Sequence, residues 1–236
     1  MVTEHLFQNR QEMINALQAV CVTALDAAIE ESGEATFMVS GGSTPEPLYQ
    51  SLSKTELDWD CVYVALVDER WVDVDHDKSN EAFILKHLIQ NHAAAANLVG
   101  MKNTAETAQE GLADCEAAYQ QLAQPFAVTI LGMGSDGHTA SLFPFAEDLE
   151  SALNPGSMEL CAAITAKPSE VTGAITNRMT LSMTGLLRSK CLLLLITGDE
   201  KLAVLRKAQA GTDVNEMPVR AVLQQQQVPV SIYWAP

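Results

Sequence analysis

Five stretches of this chain are apolar over nearly their whole length: ATFMVS at 35–40, CVYVALV at 61–67, FAVTIL at 126–131, CLLLLIT at 191–197 and VPVSIYW at 228–234. A strand without a polar side has no face to turn toward water, so it must be covered on both faces, which is the condition of a strand in a mainly parallel sheet. The segments between them supply the cover. Over 13–29, Met13, Ile14, Leu17, Val20, Cys21, Ala24, Leu25 and Ala28 recur at helical spacing, and Gly33 follows as a stop. Further helices are expected up to about residue 52 and over about 80–89, 105–122 and 200–210. The expected class is α/β: a doubly wound, mainly parallel sheet with helices on both faces, formed by 1–236 as a single domain. No linker or repeat interrupts it, and the QQQQ at 224–227 reads as a polar connection.

In such sheets ligands bind beyond the carboxyl ends of the strands. SGGST, DER, LGMGSDGH and TGDEK all fall at such ends, which points to one pocket. The net charge of -16, from 30 acids against 14 bases, would repel a phosphate backbone, so nucleic acid is excluded as a partner. A small anion would need the few bases gathered near backbone amides. Five widely spaced cysteines without a C-x-x-C pair fit a reduced, cytoplasmic chain. The N-terminus lacks a basic region followed by an apolar stretch, and the strongly apolar run CLLLLI is too short to cross a bilayer, so no membrane segment is expected. The chain is expected to be a monomer or a weak homo-oligomer.

Gly132, Gly134 and Gly137 have the G-x-G-x-x-G spacing of a dinucleotide loop, but Pro144 leaves no room for a long helix and the residues after it read as loop. No cofactor is expected there. His138 follows the last glycine, with Asp136 two residues earlier and hydroxyls at Ser135, Thr139 and Ser141. Imidazole titrates near neutrality, so His138 is the candidate general base, oriented by Asp136; the alternative is a structural histidine. Without a G-x-S-x-G elbow, water is the expected nucleophile. In the turn at 40–45, Gly41 and Gly42 permit close backbone approach, Ser43 or Thr44 can cap, and Pro45 suits a first helical position, making an anion site. Lys201 in TGDEK and Arg178 in NRMTLS, read as a loop or helix start, are candidate clamps, unless they are only surface charges. Asp68, Glu69 and Arg70 stand where sugar hydroxyls and an anionic group would be held together. Asp73, Asp75 and Asp77 imitate a calcium loop, but Lys78 and Ile84 occupy its required glycine and glutamate positions, and no metal is expected.

SGGSTP (40–45), DERWV (68–72) with SN (79–80), LGMGSDGHTASLFP (131–144), NRMTLS (177–182) and TGDEK (197–201), in that order, resemble the glucosamine-6-phosphate isomerase/6-phosphogluconolactonase family, and within it the lactonases. The resemblance implies a modified Rossmann-like (NagB/RpiA-like) fold with no dinucleotide, and hydrolysis of a small anionic sugar-phosphate lactone, 6-phospho-D-glucono-1,5-lactone, in the oxidative pentose phosphate pathway. It implies phosphate on Ser43, Thr44, Arg178 and Lys201, the sugar near Asp68 and Arg70, and His138 as base, with Gly41, Gly42, Gly134 and Thr139 also binding substrate and either Arg70 or the glycine-loop amides at the oxyanion. The deaminase relatives carry an acid a few residues after D-G-H. Here TASLFP has none, which favours the lactonase; a deaminase-like enzyme and a non-catalytic sugar-phosphate sensor are the alternatives.

Overall fold

The computed structural model describes residues 1–236. Along the chain run β1 (Val2–Leu6), α1 (Arg10–Ser32), β2 (Ala35–Val39), α2 (Glu46–Leu52), β3 (Val62–Leu66), β4 (Asp68–Arg70), α3 (Asn80–His87), β5 (Asn97–Val99) and α4 (Ala108–Gln120). There follow β6 (Val128–Leu131), α5 (Leu149–Ala152), β7 (Cys161–Thr165), β8 (Asn177–Leu181), α6 (Met183–Leu187), β9 (Leu192–Thr197), α7 (Asp199–Ala210), α8 (Val219–Gln224) and β10 (Val230–Ala235). All five apolar stretches become strands of one parallel sheet of seven, ordered β1-β10-β9-β6-β2-β3-β5. Every residue of β2 and β6 is buried, as strands covered on both faces require.

The strand order fixes where a ligand can enter. From β2 the chain winds outward through β3 to β5, then returns to the other side of β2 with β6 and continues outward through β9 to β10. The switch point is between β2 and β6, and the loops leaving their carboxyl ends diverge there to leave a crevice. The loops concerned are 40–45 and 132–145.

Helix α1 starts where Asn9 accepts a hydrogen bond from the Glu12 amide (2.9 Å) and stops at Gly33, whose φ of 83° is left-handed and whose N–H returns to Ile29 O. By length and composition it is apolar enough to span a bilayer. Here its Met13, Ile14, Leu17, Cys21, Leu25 and Ala28 are buried in the core that the sheet and helices share. Each fully buried leucine-sized side chain contributes about 1.5–3 kcal/mol.

A second, antiparallel sheet, β4-β8-β7, departs from the sequence expectation. NRMTLS is not a loop or helix start: Asn177–Leu181 is its central strand, and Ser182 then caps α6 by accepting from the Gly185 amide (3.1 Å). The stretch read as loop after Pro144 contains the single turn of α5, and β1 and α8 were also unforeseen. Ser43 and Thr44 make no side-chain cap on α2; Pro45 occupies the cap position.

Candidate active site

A cavity of about 560 Å³ opens at the switch point. Its walls come from Ser40, Gly41, Gly42, Thr44 and Pro45 after β2, from Asp68, Arg70 and Asn80, and from Gly132 to Ser135, His138 and Ala140 after β6. Thr197 and Lys201 close it from the β9–α7 junction, and Glu170 and Val171 from the β7–β8 loop. The four polar strand ends thus meet in one cleft. Ser40 Oγ, on this wall, is the one buried side-chain polar atom without a hydrogen-bond partner in the protein.

The glycine loop holds one ring in place. His138 Nδ1 is 2.6 Å from Asp136 Oδ1, which also accepts from the His138 amide (3.1 Å). A carboxylate only accepts, so Nδ1 carries the proton and Nε2 keeps its lone pair. The ring lies 4.3 Å, centroid to centroid, from Phe143 and is about 20% exposed. Burial is the largest influence on Asp136 and opposes its ionisation. The bonds and charge of His138 together outweigh it and hold the carboxyl below its ordinary value.

Of the three glycines, Gly134 is the one that makes room for this ring, while a Cβ at Gly137 would press on Met217 and one at Gly132 would meet open space. A Cβ at Gly134 would meet His138 Nδ1 at 2.1 Å and Asp136 Oδ1 at 2.5 Å, and Gly137 has a φ of 83°. Gly134→Ala is therefore expected to part the His–Asp pair and lower kcat at least about tenfold, with a melting temperature within a few degrees of the parent. Steady-state kinetics beside a thermal melt check this.

Other expected ligands are placed differently. Lys201 Nζ donates to Met133 O (2.7 Å) and retains further protons for the cleft. Burial holds its pKa below the ordinary value, and the charges of Asp136 and Glu200 counter only part of that. Ser43 faces a smaller neighbouring cavity with Arg10, whereas Thr44 borders both. Thr139 is fully buried and donates to Gly132 O (2.9 Å), so it shapes the loop instead of lining the cleft. Arg178 is buried behind the wall and spends its guanidinium on Ile175 O and Thr172 O (both 2.9 Å), with Phe143 at 5.4 Å. It holds the loop that carries Glu170 and Val171.

In β4 successive side chains point to opposite faces. Asp68 and Arg70 line the cleft, whereas Glu69 points inward. It accepts from the amides of Arg70 (2.7 Å), Asn80 (2.7 Å) and Glu81 (2.8 Å) and from Ser79 Oγ (3.0 Å). The expectation that Glu69 grips ligand with its neighbours is corrected by that alternation, which DER already contained. Asp68 Oδ2 accepts from Ser141 Oγ (2.6 Å), tying β4 to the histidine loop. Asn80, quoted above only as part of a motif, is buried on the cleft wall between Asp68 and Arg70. Its role was not legible because an asparagine in a helix's first turn has no distinctive spacing.

Fold and site together define an α/β protein in which a carboxylate-paired histidine, two bases and two glycine turns share a cleft at the switch point of a parallel sheet. The family model for glucosamine-6-phosphate isomerases/6-phosphogluconolactonase matches residues 8–234, and the chain belongs to that family. It is 41% identical over 232 residues to the 6-phosphogluconolactonase of Rhizobium meliloti, covering 98% of each chain. It is 40% identical to that of Pseudomonas putida, over 90% of this chain and 84% of the other. The crystal structure of a 6-phosphogluconolactonase from Shewanella baltica superimposes with a TM-score of 0.94 at 39% identity, covering 100% of this chain and 98% of that one.

Proposed function

We propose that this chain hydrolyses 6-phospho-D-glucono-1,5-lactone to 6-phospho-D-gluconate, with His138 as general base. The observation that carries the reading is His138, paired with Asp136, on the wall of a cleft that Asp68 and Arg70 also line, in a chain similar to lactonases over nearly its full length. His138 Nε2 takes a proton from water as the water oxygen attacks the lactone carbonyl. The imidazolium, stabilised by Asp136, then protonates the ring oxygen as the carbonyl–oxygen bond breaks. Arg70 is suited to the oxyanion of the tetrahedral intermediate, where one well-placed donor is worth about 3 kcal/mol. Atoms balance as lactone plus water giving acid, and the acid's proton passes to solvent.

Lys201, Thr44 and the backbone at Gly41 and Gly42 are assigned to the phosphate. Binding there, remote from the carbonyl, orients the ring for attack. A hydrogen bond to a charged group is worth about 1.5–3 kcal/mol, so Lys201→Ala is expected to lower kcat/KM about 10- to 100-fold, mainly through KM. A lactone lacking phosphate should lose the same dependence on Lys201.

The direct test oxidises glucose 6-phosphate enzymatically and follows acid formation from the fresh lactone with and without the chain, subtracting spontaneous hydrolysis. Acceleration supports the reading. Unaltered background hydrolysis, or ammonia release from glucosamine 6-phosphate instead, overturns it.

A further inference from the structure

Asn80 opens α3 and is about 3% exposed, yet its side chain stands on the cleft wall between Asp68 and Arg70 of β4. Its Nδ2 donates to the Asp68 carbonyl (2.8 Å) and lies 3.4 Å from Asp68 Oδ1; its Oδ1 accepts from Arg70 Nη1 (2.9 Å). The amide cannot be turned round, because its NH₂ would then face a guanidinium and its oxygen would face two oxygens. Arg70 Nη1 also donates to Lys78 O (2.7 Å), so both Nη1 protons are committed within the protein and Nη2 and Nε are left to address a ligand. The packing is close as well: a Cβ at Gly41 would come within 2.0 Å of Asn80 Oδ1, so the glycine turn after β2 is shaped around this amide. The chain of contacts Ser141–Asp68–Asn80–Arg70 thereby links the histidine loop to the guanidinium.

We propose that Asn80 is a positioning residue, whose amide fixes the Arg70 guanidinium relative to Asp68 and so presents a rigid fork of donors to the lactone. This rests on the lactonase reading. A guanidinium on a long flexible stem loses rotamer freedom when it binds, and anchoring one nitrogen in advance removes much of that cost. Because Asn80 acts through Arg70, deleting both should cost no more than deleting Arg70.

The experiment is a double-mutant cycle with Asn80→Ala, Arg70→Ala and the pair, measuring kcat and KM on fresh 6-phosphogluconolactone beside thermal melts. Expected are losses in kcat/KM of about tenfold for Asn80→Ala and about 100-fold for Arg70→Ala, with the same division between kcat and KM. The double variant should match Arg70→Ala within about threefold. Millimolar guanidinium should restore activity to Arg70→Ala severalfold and fail to do so in the double variant, a readout that loss of packing alone would not move. Multiplying losses, parental kcat/KM in a folded Asn80→Ala, or equal rescue of both variants each overturns the proposal. Asn80→Ser is made alongside; if neither Asn80 variant folds, Asn80 is a structural residue and the proposal falls. A parent without lactonase turnover removes the functional reading and this role with it, whereas an active parent with additive losses removes the role of Asn80 alone.

Discussion

His138→Ala is expected to lower kcat by about 10²- to 10⁴-fold, the usual contribution of a positioned acid–base group, and to leave the chain folded. The loop does not depend on the ring. Its turn is closed by backbone bonds from Gly134 N to His138 O (2.9 Å) and from Gly137 N to Gly134 O (3.1 Å), and the His138 amide still reaches Asp136 Oδ1. What alanine removes is the lone pair at Nε2 and the partner of a half-buried carboxyl. The second loss has its own signature. Asp136 is held below its ordinary value, so in the parent it contributes stability above its unfolded pKa, about 4, and that stability is lost as pH falls through the lower folded value. In the variant, burial acts on Asp136 with its main compensation gone. The melting-temperature difference between parent and variant should be largest near neutrality and close toward pH 3. Initial rates corrected for spontaneous hydrolysis give the first effect and melts across pH give the second. A variant turning over within a few-fold of the parent removes the base assignment.

The parallel sheet was legible because its strands are long enough and apolar enough that no other covering satisfies them; LLLLIT and ATFMV admit few alternatives. The antiparallel sheet was not. β4 is three residues of charge, and β8 buries Arg178 and Thr180, the first bonded to the preceding loop at Thr172 and the second to the distant Ser141 amide. A pattern method sees polar residues and assigns loop, while the fold satisfies them through tertiary hydrogen bonds. β1 was hidden for the opposite reason: as an edge strand it leaves VTEHL largely exposed, so it has neither an apolar run nor a clear alternation. In the candidate site, the histidine and glycines could be read because their chemistry is local to one loop. The division of labour among Arg178, Ser43 and Thr139 could not, since which side of a wall a side chain occupies depends on the element packed behind it.

Glu69→Ala is expected to cause the largest loss of stability, about 4 kcal/mol. Glu69 is completely buried and gathers three main-chain N–H groups and the Ser79 hydroxyl. Burial pushes its carboxyl above the ordinary value, and the bonds from Asn80, Glu81, Arg70 and Ser79 counter only part of that push. Alanine strands these donors inside the protein, each costing about 1–3 kcal/mol where water cannot replace the acceptor. The first turn of α3 and the end of β4 would separate enough to hydrate some of them, which keeps the total below the simple sum. A loss of this size lowers the melting temperature by about 10 °C in a chain of this length. Because the raised carboxyl contributes stability that is present below its unfolded pKa and lost as pH rises through the folded value, that component of the pH dependence should vanish in the variant. Glu69→Gln should fall between: its oxygen can still serve Arg70 and Asn80, while its NH₂ confronts the Glu81 amide and the Ser79 hydroxyl. Chemical denaturation of all three proteins measures this, with kcat/KM taken well below each melting point. Asp68, Arg70 and Asn80 stand on the junction that Glu69 ties, so activity should decline before the fold is lost. A Glu69→Ala protein that melts with the parent would show that these amides find acceptors elsewhere, and that the β4–α3 junction is held by something other than this carboxylate.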